Sequence, residues 1–195
     1  MIRVCDILFS LLGLMVLCPL FIVVALWIVI DDPGPVFYRQ QRVGKDGRDF
    51  GLLKFRSMRV GADKMSLITI GDRDPRITNV GYYIRKYKLD ELPQLWNVLI
   101  GDMSLVGPRP EVRRYVDLYT PEQRKVLSVR PGITDYASIE YIDENSILAK
   151  AEDPDKTYIE QIIPAKIELN MRYINNQTIG EYFTIIFHTF AKIIR

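Results

Sequence analysis

From Ile7 to Ile30 the chain carries no Asp, Glu, Lys or Arg, and all 26 basic and 24 acidic residues lie outside that run. As a helix rising ~1.5 Å per residue the run is ~36 Å long, enough to cross a ~30 Å hydrocarbon core. It is longer than the apolar region of a signal peptide, and no small-x-small cleavage pattern precedes Asp31, so it is expected to stay attached. Pro19 interrupts it, removing a backbone donor to the Met15 carbonyl and dividing the run into two arms of ~17 to 18 Å. Hydropathy therefore leaves open both a full crossing and a re-entrant path that turns at mid-bilayer. Arg39, Arg42, Lys45 and Arg48 follow the run and place its C-terminal side toward the cytoplasm.

The remaining sequence reads as one charge-rich unit, 31–195, behind the membrane segment 1–30. A formal charge of +2 argues against an electrostatic nucleic-acid clamp, and an apolar content of 48% excludes a disordered chain. Cys5 and Cys18 would lie ~20 Å apart on a continuous helix, too far for a disulfide. Asp31-Asp32-Pro33-Gly34-Pro35 stops the first helix. Val36 to Arg42 and Phe50 to Met58 predict two short strands of a hairpin. Leu92, Leu95, Trp96 and Leu99 predict a helix over about 91–100, closed by Gly101. Thr120-Pro121-Glu122-Gln123 and Asp153-Pro154 carry helix-start signals. Ile179 to Arg195 has an apolar face of Phe183, Ile186, Phe187, Phe190 and Ile194, suited to a membrane surface or to the core. The fold class is thus α+β and mainly helical.

Few groups suit catalysis. His188, the sole histidine, falls on the polar stripe of the last helix, so histidine-based triads and zinc sites have little to draw on. Asp72-Arg73-Asp74 is a poor match to the paired aspartates of aspartyl-phosphate hydrolases, and no glycine-rich phosphate loop occurs. Asp90-Glu91 stands at a helix start behind a basic and aromatic stretch. Either it caps that helix, or its two diverging carboxylates serve different partners, one attacking and one holding a metal. Arg109 is fixed between Pro108 and Pro110, which lowers the entropy lost in gripping an anion. Lys54, Arg56, Arg85 and Arg130 are further cations near turns or strands.

Asp74-Pro75-Arg76-Ile77-Thr78, Leu89 to Val98, Gly101 to Pro110 and Arg130-Pro131-Gly132-Ile133-Thr134 together resemble the bacterial sugar transferases, the monotopic polyprenyl-phosphate phosphoglycosyl transferases, in their minimal catalytic form. The resemblance covers nearly the whole chain. It implies a re-entrant helix broken at Pro19, amphipathic interfacial helices, and a catalytic domain at the cytoplasmic face of the bacterial inner membrane. The implied reaction moves a sugar 1-phosphate from a UDP-sugar to undecaprenyl phosphate, initiating a lipid-linked glycan. Asp90 is implied as nucleophile and Glu91 as Mg²⁺ ligand, with Lys54, Arg56, Arg85, Arg109 and Arg130 contacting phosphate or nucleotide. Membrane lipids are the implied surroundings, nucleic acid is not a partner, and a homo-oligomer is left open. Two segments depart from the family pattern: Tyr87-Lys88, and Asp135 to Glu140, the latter in a region that bears on sugar and nucleotide recognition. A noncatalytic membrane adaptor and a UDP-sugar pyrophosphate hydrolase stand as alternatives.

Overall fold

The structure, a computed structural model, describes residues 1–62 and 74–193. Asp72 and Arg73 of the weak aspartate motif, and Ile194 and Arg195 of the last amphipathic helix, lie outside the described residues. Helix α1, Ile2–Asp31, takes in the whole apolar run. The interruption expected at Pro19 does not end it: residues on both sides remain helical, since a proline deletes only one hydrogen bond of the ladder. Among the described residues it is the one helix long and apolar enough to cross a membrane.

Strands β1, Phe37–Val43, and β2, Asp49–Phe55, form the expected antiparallel hairpin, with Tyr38 opposite Lys54. Helix α2, Asn79–Lys86, starts at a Thr78 cap whose hydroxyl accepts from the Gly81 amide at 2.9 Å. Gly81 has to be glycine, because a Cβ there would lie 2.0 Å from the Ser57 carbonyl oxygen. A tight turn over Leu89–Glu91 then leads through Leu92 and Pro93 into α3, Gln94–Ile100, which ends on Gly101 at φ 100°. The chain continues through β3, Ser104–Val106; α4, Arg113–Val116; a 3₁₀ turn, Gln123–Ser128; and β4, Gly132–Thr134. After β4 come α5, Tyr136–Glu140; α6, Glu144–Ala149; α7, Pro154–Thr157; a π turn, Tyr158–Ile162; α8, Ile163–Asn175; and α9, Ile179–Ile193. The chain is a mixed, mainly helical fold.

The predicted start signals operate as read. Thr120 and Gln123 cap one another reciprocally, at 2.9 and 3.2 Å, and Asp153 accepts from the Lys156 amide at 3.0 Å. Strands β3 and β4 pair in parallel, which brings the loops behind them together. Gly107 and Gly132 meet there so closely that a Cβ on Gly132 would lie 2.1 Å from the Gly107 nitrogen.

Helix α1 is attached to the rest of the chain at both ends. Near its start, Arg3 donates to the Val98 and Leu99 carbonyls at the end of α3. One turn on, the buried Asp6 accepts three hydrogen bonds at a single oxygen, Oδ1: from Ser104 Oγ at 2.9 Å, the Leu105 amide at 2.9 Å and Tyr182 Oη at 3.0 Å. Near its end, Val24 and Ile28 pack with Val80 and Ile84 of α2 and with Phe55. Asp31 accepts from the Val80 amide at 2.9 Å, and Asp32 pairs with Arg56 at 3.3 Å. Elsewhere the helix leaves apolar side chains exposed, among them Leu8, Met15, Val16, Val23 and Leu26.

Replacing Asp6 by alanine strands three donors in a dry contact. Asp6→Ala is expected to cost about 3 kcal/mol of unfolding free energy, with a smaller loss for Asp6→Asn, which keeps an acceptor. Denaturant unfolding in detergent micelles, with the exposed Asp117→Ala as reference, measures this; equal effects of Asp6→Ala and Asp117→Ala would show that the contact carries no stability.

Candidate active site

Asp90 and Glu91 sit on the turn between α2 and α3. The turn is entered through Lys88 at φ 55°, a left-handed conformation unusual for lysine. The helix expected from Glu91 starts later, at Gln94, with Pro93 before it, and no side chain caps it. Asp90 therefore does not serve as the cap of α3, which removes the simplest structural role for the pair. Its side chain is buried, 5% exposed.

The two carboxylates occupy opposite electrostatic settings. Burial pushes the Asp90 carboxyl above its ordinary value, opposed by the cation of Lys54. Glu91 is also penalised by burial, yet the charges of Arg109 and Lys54 outweigh that penalty and hold it well below the usual carboxylate range. Arg109 grips Glu91 with both terminal nitrogens, Nη1 to Oε2 at 3.1 Å and Nη2 to Oε1, and Lys54 Nζ lies 3.6 Å from Oε1. Burial in turn lowers the Lys54 ammonium pKa, partly offset by Glu91.

Three distant segments supply these groups. Lys54 comes from β2, whose backbone is tied to α3 by Asn97: the Leu53 amide donates to Asn97 Oδ1, and Asn97 Nδ2 donates to the Gly51 carbonyl, both at 2.9 Å. Arg109 comes from the loop after β3. Its amide donates to Asp135 Oδ2 at 3.0 Å, and Asp135, 1% exposed, also accepts from the Ser138 amide at 2.5 Å. Asp135 was read from sequence only as part of a departure from the family pattern; its place just after the parallel strand β4 is what lets it position Arg109.

The expected basic residues divide. Lys54 and Arg109 meet at Glu91, and Arg85, in the last turn of α2, acts on the Asp90 charge. Arg56 does not join them: it is 5% exposed and bound to the Asp32 carboxylate and carbonyl, closing the end of α1. Arg130 is turned to the α3 terminus, Nε donating to the Gly101 carbonyl at 2.9 Å.

Among the described residues no group of three His, Cys, Asp or Glu side chains is arranged to hold a metal. The donor set at the turn is two adjacent hard carboxylates, of which Glu91 is the more firmly ionised. Hard carboxylate oxygens are the ligand type Mg²⁺ takes, but both Glu91 oxygens are engaged by Arg109, with Lys54 beside Oε1, so Glu91 could hold the ion only in exchange for those cations.

The profile of a family described as bacterial sugar transferase matches residues 1–195. The chain is 40% identical over 194 residues to a UDP-N-acetylgalactosamine-undecaprenyl-phosphate N-acetylgalactosaminephosphotransferase of Aeromonas hydrophila, covering 97% of this chain and 42% of that protein. It is 34% identical over 195 residues to a UDP-glucose:undecaprenyl-phosphate glucose-1-phosphate transferase of Escherichia coli K12, covering 96% of this chain and 39% of that one. An exopolysaccharide production protein, PSS, of Rhizobium leguminosarum bv. phaseoli is 38% identical over 194 residues, covering 96% of this chain and 92% of PSS. The chain thus spans about two fifths of the length of the first two relatives and nearly all of the third.

The Glu91 and Arg109 side chains are coupled in a mostly buried setting, tempered by the partial exposure of Arg109. Glu91→Gln and Arg109→Ala should each destabilise the fold, and the double variant should fall short of the sum by about 1 to 2 kcal/mol. A double-mutant cycle on unfolding free energies gives the coupling; strict additivity would mean that the pair is energetically idle.

Proposed function

The chain belongs to the bacterial sugar transferase family, and from that membership we propose that it transfers a sugar 1-phosphate from a UDP-sugar to undecaprenyl phosphate. The observation that carries the reading is the Asp90-Glu91 pair: one carboxylate buried without a capping duty, its neighbour locked as an anion between Arg109 and Lys54.

In the first half-reaction an Asp90 carboxylate oxygen attacks the β-phosphorus of the UDP-sugar. The bond from that phosphorus to the bridging oxygen breaks, and the bridging oxygen leaves with its electron pair as part of UMP. In the second, an oxygen of undecaprenyl phosphate attacks the same phosphorus, the acyl-phosphate bond breaks, and Asp90 is returned as a carboxylate with the sugar now on a lipid diphosphate. Neither half needs a net proton.

The difficulty is electrostatic. An anionic nucleophile nearing a phosphate meets repulsion of ~4 kcal/mol per charge pair at 4 Å and an effective dielectric of 20. Lys54 and Arg85 favour the charged form of the nucleophile, opposing the burial that raises its pKa. Arg109, oriented by Asp135 through its backbone and by Glu91 through its guanidinium, presents positive charge in a fixed direction, so little reorganisation accompanies the reaction. Mg²⁺ would supply Lewis-acid neutralisation of the phosphate oxygens if Glu91 exchanged its contacts with Arg109 and Lys54 for the ion, releasing both cations toward the diphosphate.

A lipid substrate requires the site to lie at a membrane surface. Both ends of α1 are bonded to one folded unit, at Asp6 and at Asp31, whereas the ends of a spanning helix emerge on opposite faces of the bilayer. This supports a re-entrant path for α1, with the catalytic unit at the cytoplasmic face of the bacterial inner membrane. Exposed aromatic side chains support the same placement: Trp27 stacked on Tyr83 at 6.0 Å, Tyr87 and Trp96 near the dyad, and Phe183, Phe187 and Phe190 along α9. Such rings favour the headgroup region.

Detergent-purified protein supplied with Mg²⁺, undecaprenyl phosphate and a panel of UDP-sugars is expected to release UMP from at least one of them. Asp90→Asn should abolish both that release and covalent labelling by a radiolabelled UDP-sugar. Labelling that survives Asp90→Asn would place the nucleophile elsewhere, and sugar 1-phosphate released to water without the lipid acceptor would favour a hydrolase.

A further inference from the structure

Tyr87-Lys88, one of the two departures from the family pattern, immediately precedes the dyad turn, and the chemistry proposed above uses neither residue. Lys88 sits at φ 55° and ψ 21°, a left-handed pose that costs a lysine conformational energy and suits glycine. Its backbone is held there on both sides. The Lys88 amide donates to the Arg85 carbonyl at 3.1 Å, and the Glu91 amide donates to the Lys88 carbonyl at 3.3 Å. The residue is exposed, and its ammonium meets no acceptor among the described residues. Its charge nevertheless acts on both Asp90 and Glu91. The other cations nearby are committed: Lys54 and Arg109 to Glu91, Arg56 to Asp32, and Lys86 to the Tyr87 ring, 5.7 Å from its centre. Arg85 is half-buried. Lys88 is thus the cation at the dyad that is both exposed and unpaired.

An aromatic strip leads up to it from the membrane helix. The Tyr87 amide donates to the Tyr83 carbonyl at 3.1 Å, so the two residues stand one helical turn apart on the same face of α2. Tyr83 stacks on Trp27 of α1, centroids 6.0 Å apart and planes 22° from parallel. All three rings are exposed, and on α1 the exposed side chains of Val23, Leu26 and Ile30 accompany Trp27. The strip therefore starts on the bare apolar face of α1 and ends one residue before Lys88, three before Asp90.

Resting on the lipid-acceptor reading, we infer that Lys88 binds the phosphate of undecaprenyl phosphate, with the first isoprene units of its tail laid on Tyr87, Tyr83 and Trp27. The second half-reaction has to bring an anionic headgroup to the phosphorus carried by Asp90 while the tail stays in apolar surroundings. A free cation beside the nucleophile, continued by rings that run to the apolar face of a membrane helix, supplies both needs in the right order. A UDP-sugar has no apolar tail to lay on such a strip. Charge complementarity favours the acceptor over the phospholipids around it. A phosphate monoester carries roughly −1.5 to −2 at neutral pH, whereas a phosphodiester carries one charge, so the monoester gains more from the Lys88 ammonium. Lys88 is in this account a binding residue for the acceptor, separate from the cations that serve the diphosphate.

Binding of tritiated undecaprenyl phosphate to the full chain in phosphatidylcholine nanodiscs tests the assignment without turnover. Lys88→Gly should resist denaturant at least as well as the unaltered chain, because glycine adopts this backbone pose freely. It should nevertheless bind undecaprenyl phosphate at least about tenfold more weakly. Lys88→Arg, which keeps the charge, should stay within about threefold, and Tyr87→Ala should weaken binding by about threefold. UDP affinity, measured by calorimetry on the same proteins, should be unchanged by Lys88→Gly. Undiminished undecaprenyl phosphate binding in Lys88→Gly overturns the proposal. So does an equal loss of UDP affinity, which would assign Lys88 to the donor, and so does displacement by equimolar phosphatidylglycerol, which would make this a general anionic-lipid contact. If the unaltered chain binds UDP but no undecaprenyl phosphate, the acceptor reading itself falls and takes this assignment with it.

Discussion

The contact on which the rest of the structure depends is the one made by Asp6. A carboxylate next to an apolar run would ordinarily be kept in water or excluded altogether, because burying it unpaired is costly. Here it is buried and paired with donors from β3 and α9, and the Arg3 guanidinium beside it holds two carbonyls at the end of α3. Together with Asp31 on the Val80 amide and Arg56 on Asp32, these bonds tie both ends of α1 to the same folded unit. The apolar helix is thereby part of the catalytic domain's own packing, and α2 and α3, which lie against it, carry the dyad on the turn between them.

That arrangement explains why two adjacent carboxylates behave differently. Successive residues on the tight turn point apart, so Asp90 is buried while Glu91 meets cations delivered from β2 and from the loop after β3. Parallel pairing of β3 and β4 is what brings the second of those cations into place. It needs two glycines in mutual contact, Gly107 and Gly132, and one buried carboxylate, Asp135, to hold the Arg109 backbone. The proposed chemistry, a carboxylate attacking a diphosphate, depends on this concentration of positive charge around a nucleophile kept out of water.

Local signals in the sequence were reliable where the physics is local. The hairpin, the Thr120-Gln123 box, the Asp153 cap and the glycine stop at Gly101 follow from turn and capping chemistry within a few residues, and each is present. Asp90, Glu91, Lys54 and Arg109 were identifiable as candidates, and the fold brings them together. Arg56 was not separable from Lys54 by sequence, since both sit near the end of one strand; only the position of Asp32 shows that Arg56 is spent on closing α1. The roles of Asp6 and Asp135 rest on contacts more than 25 residues away in the chain, and no short-range pattern announces them. Pro19 was expected to kink or break the helix; the helix runs through it without ending.

The central claim, that the apolar helix enters and leaves the membrane on one side, is open to a direct measurement. Protease-cleavable tags placed ahead of Met1 and after Arg195 can be probed with an impermeant protease in intact and permeabilised spheroplasts. A re-entrant helix requires both tags to be protected in intact spheroplasts and both cleaved once the membrane is opened. Cleavage of the tag at Met1 in intact spheroplasts, with the tag at Arg195 still protected, would establish a spanning helix and contradict the account.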